Sequence, residues 1–466
     1  GDRLPIEFHL LGYKPKPWRP VDSVLCALQM YRTLTNTWRD DLAKQVMFQE
    51  GDRDKVDFLF PSRTGHEVQP GSNAWVISGA HTATGKPILA NDPHLDYTIP
   101  STWYMVHLKA PGLNVTGVSL PGLPAVIIGH NERIAWGVTN LGFDVQDLYV
   151  EKLDTATGRY EFEGKIEQAV KETEEIPVRN EKPVAFSQWV TRHGPVILSE
   201  GKTMLSLRWT ANDAGAFAFP FLDIDRAANW GEFKAALRRF PGPAQNFVYA
   251  DAAGNIGYHA TGRLPIRRNF EGDLPVDGSS GTFEWEGYIP FDELPEFFNP
   301  PSGIIVTANQ NPFPVNYKYS TNGGYSTPYR SNQIRALLSA REGWKPADML
   351  AVQTDVYSPF CHFLARQLVA AYDAKLPKDA DLAKAAKILR AWNGQMEIRE
   401  AAPLLVTLVY DHLRPALAEI ASPHKGAIYH YEMAPSVVRA VLESDARGWF
   451  QDKDETRLSM AQQPQV

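Results

Sequence analysis

Chemistry can first be read from residue types at Gly71-Ser72-Asn73. This triplet stands between a polar, turn-rich stretch, Pro61-Ser-Arg-Thr-Gly-His-Glu-Val-Gln-Pro-Gly71, and two apolar runs, Trp75-Val-Ile77 and Pro87-Ile-Leu89, joined through Thr84-Gly85 and followed by Asn91-Asp-Pro93. The pattern predicts a hairpin that begins just after Ser72 and an exposed, cuttable connection before it. A cut there places a hydroxyl and a free α-amine on one residue. With an ordinary pKa of about 7.7–8.0, that amine is partly unprotonated near neutrality and can take the hydroxyl proton, directly or through a water. One residue then supplies nucleophile and base. Gly71 suits the event, since a residue without a Cβ tolerates the distorted approach of the Ser72 hydroxyl to the preceding carbonyl. Taken alone, the three residues read as a plain turn.

Their neighbours change that reading. Ser72-Asn-Ala-Trp75, Asn91-Asp-Pro-His-Leu95, Gly129-His-Asn-Glu-Arg-Ile-Ala-Trp-Gly-Val-Thr-Asn140, Asp144-Val-Gln-Asp-Leu-Tyr149 and Asn246-Phe-Val-Tyr-Ala-Asp251 follow one another in this order. Order and spacing together resemble the penicillin acylase family of N-terminal-nucleophile hydrolases, from about Leu25 to about Arg335. Each motif is weak singly, and the ordered series is specific. The resemblance implies an α+β fold, a four-layer αββα sandwich with antiparallel sheets. It also implies self-cleavage between Gly71 and Ser72, with residues 1–48 ending a small chain, 49–71 as linker and 72–466 as the large chain. Family members extend beyond both ends of this chain and carry a signal for the periplasm or the exterior, so the resemblance implies a periplasmic or secreted protein.

Carried over residue by residue, the resemblance makes Ser72 the acylated nucleophile of an amidohydrolase acting on penicillin-like or other N-acyl amides. Asn246, through its side-chain amide, and the backbone N–H of Asn140 would face the developing oxyanion; an amide is an apt donor because it brings no net charge. His94 falls where penicillin G acylases have glutamine and cephalosporin- or homoserine-lactone-type acylases have histidine, and it would orient the freed amine. Arg267 matches a family arginine near that amine, with Arg263 and Arg268 flanking it closely enough for the assignment to slip. Met30 and Leu34 match a pocket-lining methionine and phenylalanine, with Leu95 and Phe247 nearby; leucine in place of phenylalanine removes an aromatic wall and opens the pocket to aliphatic acyl groups. The resemblance further implies no catalytic cofactor but a structural calcium, held by Asp40, Asp144, the Gln146 carbonyl and Asp147. Asp40 stands where the family usually has the longer glutamate. Each residue also has an ordinary reading: a strand-edge amide, a loop histidine, a surface arginine, solvated acids, plain core.

Length and composition bound the alternatives. The 466 residues carry a net charge of −7 with 44% hydrophobic content, ordinary for a globular protein and poorly suited to nucleic acid or an anionic membrane surface. No apolar run is long enough for a membrane span, and Gly1-Asp-Arg-Leu-Pro5 is not a signal peptide. Cys26 and Cys361 are far apart, so a single bridge stays open and a disulfide framework does not. A Gly-x-Ser-x-Gly elbow and a His-Glu-x-x-His zinc motif are both missing. Two rivals remain: an acyl-homoserine-lactone or lipopeptide acylase on the same scaffold, and an unprocessed homologue that only binds.

The elements that must position these residues follow from periodicity. Four prolines, Pro5, Pro15, Pro17 and Pro20, predict an extended N-terminal arm. A helical stripe runs through Leu25, Leu28, Met30, Leu34, Leu42 and Val46. Strand-length apolar runs recur at 103–108, 115–120, 125–128, 134–138 and 148–150, and the charged 152–182 stretch predicts an outer sheet. Asn229-Trp-Gly-Glu232 reads as a capping box, and 247–250 with 256–259 as a hairpin. Residues 262–330 read as loops around a rim, and the chain after Ser331 as helices.

Overall fold

The computed structural model describes residues 4–60, 71–95, 98–200, 203–216, 218–430, 434–445 and 448–449. The hairpin expected after Ser72 lies at its centre: Asn73–Ile77 pairs antiparallel with Ile88–Asp92, Ile77 opposite Ile88 and Asn73 opposite Asp92. On its other side runs Ile304–Thr307. All five residues of Asn73–Ile77 are buried, so strand alternation sends its side chains into two different cores. Ala74 and Val76 point to a second sheet and pack with Val248 and Tyr258. Trp75 and Ile77 point the other way, onto Ile334, Leu338, Met349 and Val352 of the helices Tyr329–Ser339 and Met349–Gln353.

The second sheet has seven strands, in the spatial order Glu296–Phe298, Ile256–Thr261, Gln245–Asp251, Ile134–Asn140, Ile128–His130, Leu113–Ser119 and Tyr104–Ala110. Its outer face, Trp136, Val138, Phe247 and Tyr249, is covered by Phe221, Ile224, Phe233 and Leu237 of the helices Phe221–Arg226 and Trp230–Leu237. Helices, sheet, sheet and helices therefore succeed one another, the αββα order expected. Half of the expected capping box is formed: Glu232 N–H donates to Asn229 Oδ1 (3.0 Å), while the Glu232 carboxylate accepts from Ala228 N–H (2.9 Å), one residue before the cap, and not from Asn229 N–H.

Several readings of the chain change. A six-residue helix, Ile6–Leu11, replaces the first part of the extended arm, in the proline-free interval after Pro5. Residues 53–59, expected within a turn-rich linker, form the helix Arg53–Leu59, capped by Asp52 and buried through Val56 and Leu59 beside Val406, Leu417 and Ala421 of Ala401–Ala421. The rest of that linker, 61–70, lies outside the described residues. The 262–330 region is not only rim, since it supplies Ile304–Thr307 to the central sheet. The outer sheet is present, and one of its pairs, Val276–Asp277 with Gln146–Glu151, is parallel rather than antiparallel. Both cysteines are free thiols. No helix among the described residues is long and apolar enough to cross a membrane.

Candidate active site

Ser72 immediately precedes the buried central strand and lies on the wall of an apolar cavity enclosing about 720 Å³ of empty space, its mouth included. Met30 and Leu34 reach this wall from the helix Pro20–Leu34, Leu95 from the segment after the hairpin, and Phe247 from the seven-stranded sheet, so the four expected pocket residues share one cavity. Trp103 and Phe240 complete an aromatic side that spacing did not identify. A wider, more polar cleft opens beside it, sharing Ser72, Met30 and Leu34 and adding Gly71, His94 and Asn309. An apolar pocket meeting a polar cleft at one serine suits a substrate with an apolar half and a polar half.

Amides fix the main chain around Ser72. Asn91 Nδ2 donates to Asn73 O (2.7 Å) and Val138 O (3.1 Å), and Asn91 Oδ1 accepts from Val138 N–H (2.9 Å), tying the two sheets together. Asn73 Nδ2 donates to Asp92 Oδ2 (2.7 Å), and His94 Nε2 lies 2.6 Å from that same oxygen. The His94 ring is thus held by Asp92 at the cleft. Asn140 lines both cavity and cleft. Asn246 is fully buried, and its Nδ2 donates to Thr139 Oγ1 (3.1 Å) and Asn140 O (3.1 Å) while its Oδ1 accepts from Tyr258 (2.5 Å). Its amide therefore adjoins Asn140 but is engaged by the protein.

The arginine at Ser72 is Arg330, not Arg267. Arg330 Nη1 donates to Ser72 O (3.1 Å) and Asn73 Oδ1 (2.7 Å); Nη2 donates to Asn309 Oδ1 (3.0 Å) and Ser326 Oγ (3.1 Å). Asn309 in turn donates to Asn140 O (2.8 Å). None of the four Arg330 acceptors is charged, and burial lowers the guanidinium pKa to about 10. Sequence reasoning missed this residue because 258 positions separate it from Ser72.

Arg267 lies instead in the acidic cluster. Its Nε donates to Asp147 Oδ2 (2.7 Å) and its Nη2 to Asp144 Oδ2 (2.8 Å), with all three side chains 1% exposed. Gly272, at φ +81°, makes this possible: a Cβ there would overlap Arg267 Nε and lie 2.8 Å from Asp147 Oδ1. Burial alone would lower the Arg267 pKa, but Asp147 and Asp144 more than offset it and hold it above its ordinary value. Burial pushes Asp144 up, and Arg267 pulls it back. Thr37 Oγ1 and the Gln146 N–H both donate to Asp144 Oδ1.

Asp40 is raised to about 7 by burial. It is the adjacent Asp41 that feels Asp144 and Asp147, and burial followed by those like charges raises it well above the carboxylate range. Asp40, Asp144, Gln146 and Asp147 thus do not form a cation cradle as placed, since a guanidinium already spans the two central carboxylates. No three His, Cys, Asp or Glu side chains among the described residues could hold a metal ion.

Four layers with a serine at the head of the central strand define an N-terminal-nucleophile fold. The penicillin amidase family model matches residues 1–465, and the chain belongs to that family. It is 29% identical over 473 aligned residues to a penicillin acylase 2 proenzyme of a Pseudomonas species, covering 91% of this chain and 59% of the relative. To the acyl-homoserine lactone acylase QuiP of Pseudomonas fluorescens it is 28% identical over 420 residues, 79% of this chain and 51% of the relative. The chain therefore spans a little over half the length of these relatives. The solved thermostable penicillin G acylase of Alcaligenes faecalis superposes with a TM-score of 0.70 at 24% identity, covering 83% of this chain and 74% of that one, a likeness of fold.

Proposed function

We propose that this chain is the precursor of an amidohydrolase that cuts itself between Gly71 and Ser72 and then uses Ser72 as an N-terminal nucleophile on N-acyl substrates. The observation that carries this reading is the position of Ser72, heading the buried central strand and forming part of the apolar cavity wall. In the cut enzyme Ser72 Oγ attacks the amide carbonyl, its proton passes to the residue's own α-amine and on to the leaving amine, and an ester to Ser72 remains. Water then hydrolyses that ester. The developing oxyanion needs donors already in place. We assign these to the Asn140 backbone N–H and to Asn246 Nδ2, which gives up Thr139 Oγ1 or Asn140 O to serve; His94, held by Asp92, faces the cleft beside the amine.

The two chains would stay together through Tyr31 with Thr210 (2.8 Å), Asn140 Nδ2 with Leu34 O (3.3 Å) and Lys44 with Asp273 (2.6 Å). Because Arg53–Leu59 belongs to a core, any excised spacer lies between Phe60 and Ser72. A periplasmic or secreted location follows the family reading. The acyl half of the substrate is apolar, and Leu34 on the wall favours an aliphatic chain, which supports a second reading, an N-acyl-homoserine lactone in place of a penicillin-like amide.

Intact mass under denaturing conditions tests the reading, with Ser72→Ala beside the native protein. A fragment beginning at Ser72, missing from the variant, is expected together with release of amine from a panel of N-acyl amides. One uncleaved mass in both samples sinks the catalytic reading.

A further inference from the structure

Gly71 faces a clamp. A Cβ on residue 71 would overlap Asn309 Oδ1 and sit 2.8 Å from Arg330 Nη2, the same two groups that bond each other at 3.0 Å. Neither contact can give way easily: Asn309 is anchored to Asn140 O, and Arg330 is anchored to Ser72 O, Asn73 Oδ1 and Ser326 Oγ. A continuous run of hydrogen bonds thus leads from the Ser72 carbonyl through Arg330 and Asn309 to the Asn140 carbonyl, where Asn246 also donates. It joins the nucleophile's main chain to both groups assigned to the oxyanion.

We propose that Arg330 is the positioning residue of this site: with Asn309 it holds the main chain at Ser72 in one register, admits only glycine at residue 71, and through its charge favours the unprotonated form of the α-amine that cleavage frees. The proposal rests on Ser72 being the terminal nucleophile. Its geometry is specific, because a guanidinium presents several donors in one plane and can hold a carbonyl and an amide oxygen at once, which an ammonium does not reproduce. Its electrostatics follow from position. The guanidinium contacts the Ser72 carbonyl, so it stands within a few ångströms of the amine of the same residue; its four bonded partners are neutral acceptors, and the nearest opposing charge is the Asp92 carboxylate, which is shared with Asn73 and His94 and stays in place when Arg330 is substituted. At such a separation a unit charge in a partly buried setting moves an amine by about one pH unit or more.

Two substitutions separate the roles. Arg330→Lys keeps the charge and loses the fork; Arg330→Gln loses the charge. Maturation, followed by mass after a synthesis pulse, is expected to slow about tenfold or more in both. In the matured proteins the acid limb of the kcat/KM–pH profile should stay in place for Lys and move up by about one unit for Gln, a shift that loss of packing alone would not produce. A Gln variant that matures at the native rate, or whose acid limb superposes on the native one, overturns the proposal. Should the Gln variant not mature, Gly71→Ala in the otherwise native chain decides: no cleavage is expected in the time the native chain completes it, and cleavage at the native rate refutes the clamp. A native chain that never cleaves removes the Ser72 reading itself, whereas native cleavage with unaffected variants removes only the role of Arg330.

Discussion

Replacing Arg267 by methionine tests whether the acidic cluster is neutralised from within. The substitution leaves Asp144 and Asp147 without their shared counter-charge in a site where each side chain is 1% exposed. Removing one partner of a buried, hydrogen-bonded pair costs about 3–5 kcal/mol, chiefly through the charge left behind. Here the lower end applies, since Asp144 keeps Thr37 and the Gln146 N–H and Asp147 keeps Trp285 Nε1 at 2.6 Å. Unfolding entropies near 2.1 cal/mol/K per residue give about 1 kcal/mol/K for 466 residues, so the Tm should fall by roughly 3 °C. Calorimetry in chelator and in calcium supplies the decisive comparison. With the guanidinium gone, Asp144, Asp147 and Asp41, which as placed cannot hold a metal ion, are free to draw together into an oxygen-only set suited to a hard cation, and about 1 mM calcium should recover part of the loss. In the native protein neither chelator nor calcium should move the Tm by more than about 1 °C. Stoichiometric calcium in the native protein by elemental analysis, with a Tm that drops in chelator, would refute the reasoning and restore the cation expected from the family resemblance.

Two further outcomes follow from the cavity and from a buried acid. Leu34→Phe adds an aromatic ring to the wall shared with Met30 and Phe247; the ratio of kcat/KM for a phenylacetyl over a medium-chain aliphatic amide should rise about tenfold, the size of effect one pocket side chain exerts, and an unchanged ratio would show that acyl choice is made elsewhere. Asp225 is 1% exposed, accepts from Val126 N–H at 3.1 Å, and burial raises its pKa to about 7 from 3.8. Between those values the folded chain binds a proton that the unfolded chain has lost, so this group's contribution makes stability fall as pH rises from about 4 to 7. Asp225→Asn keeps an acceptor for Val126 and removes that slope, and denaturant midpoints across this range should converge at low pH and favour the variant at pH 8; parallel curves would contradict the assignment.

What the sequence discloses here is chemistry held in local patterns. The hairpin after Ser72 is legible because strand alternation and turn residues are read over a few positions, whereas Met30 and Leu34 are picked out as pocket residues only through the family resemblance, four positions apart on one helix. Arg53–Leu59 and Ile304–Thr307 are hidden for the opposite reason: each is short, flanked by turn formers, and ordered by what it packs against far along the chain. The charged residues divide most sharply. Arg267 lies 21 positions after Asn246 and Arg330 84 after it, and nothing local distinguishes a guanidinium that neutralises two carboxylates from one that holds a carbonyl. Both are buried, and the choice is made by the groups each one bonds. Under Gly272, an arginine is bonded directly to the Asp144 and Asp147 carboxylates; against Ser72 O, Asn73 and Asn309 it bonds only neutral acceptors, with Asp92 acting on it from beyond Asn73, so more of its charge is left to act on what titrates beside it. Motif order identifies a nucleophile, but only the three-dimensional distribution of counter-charges says which cation tunes it.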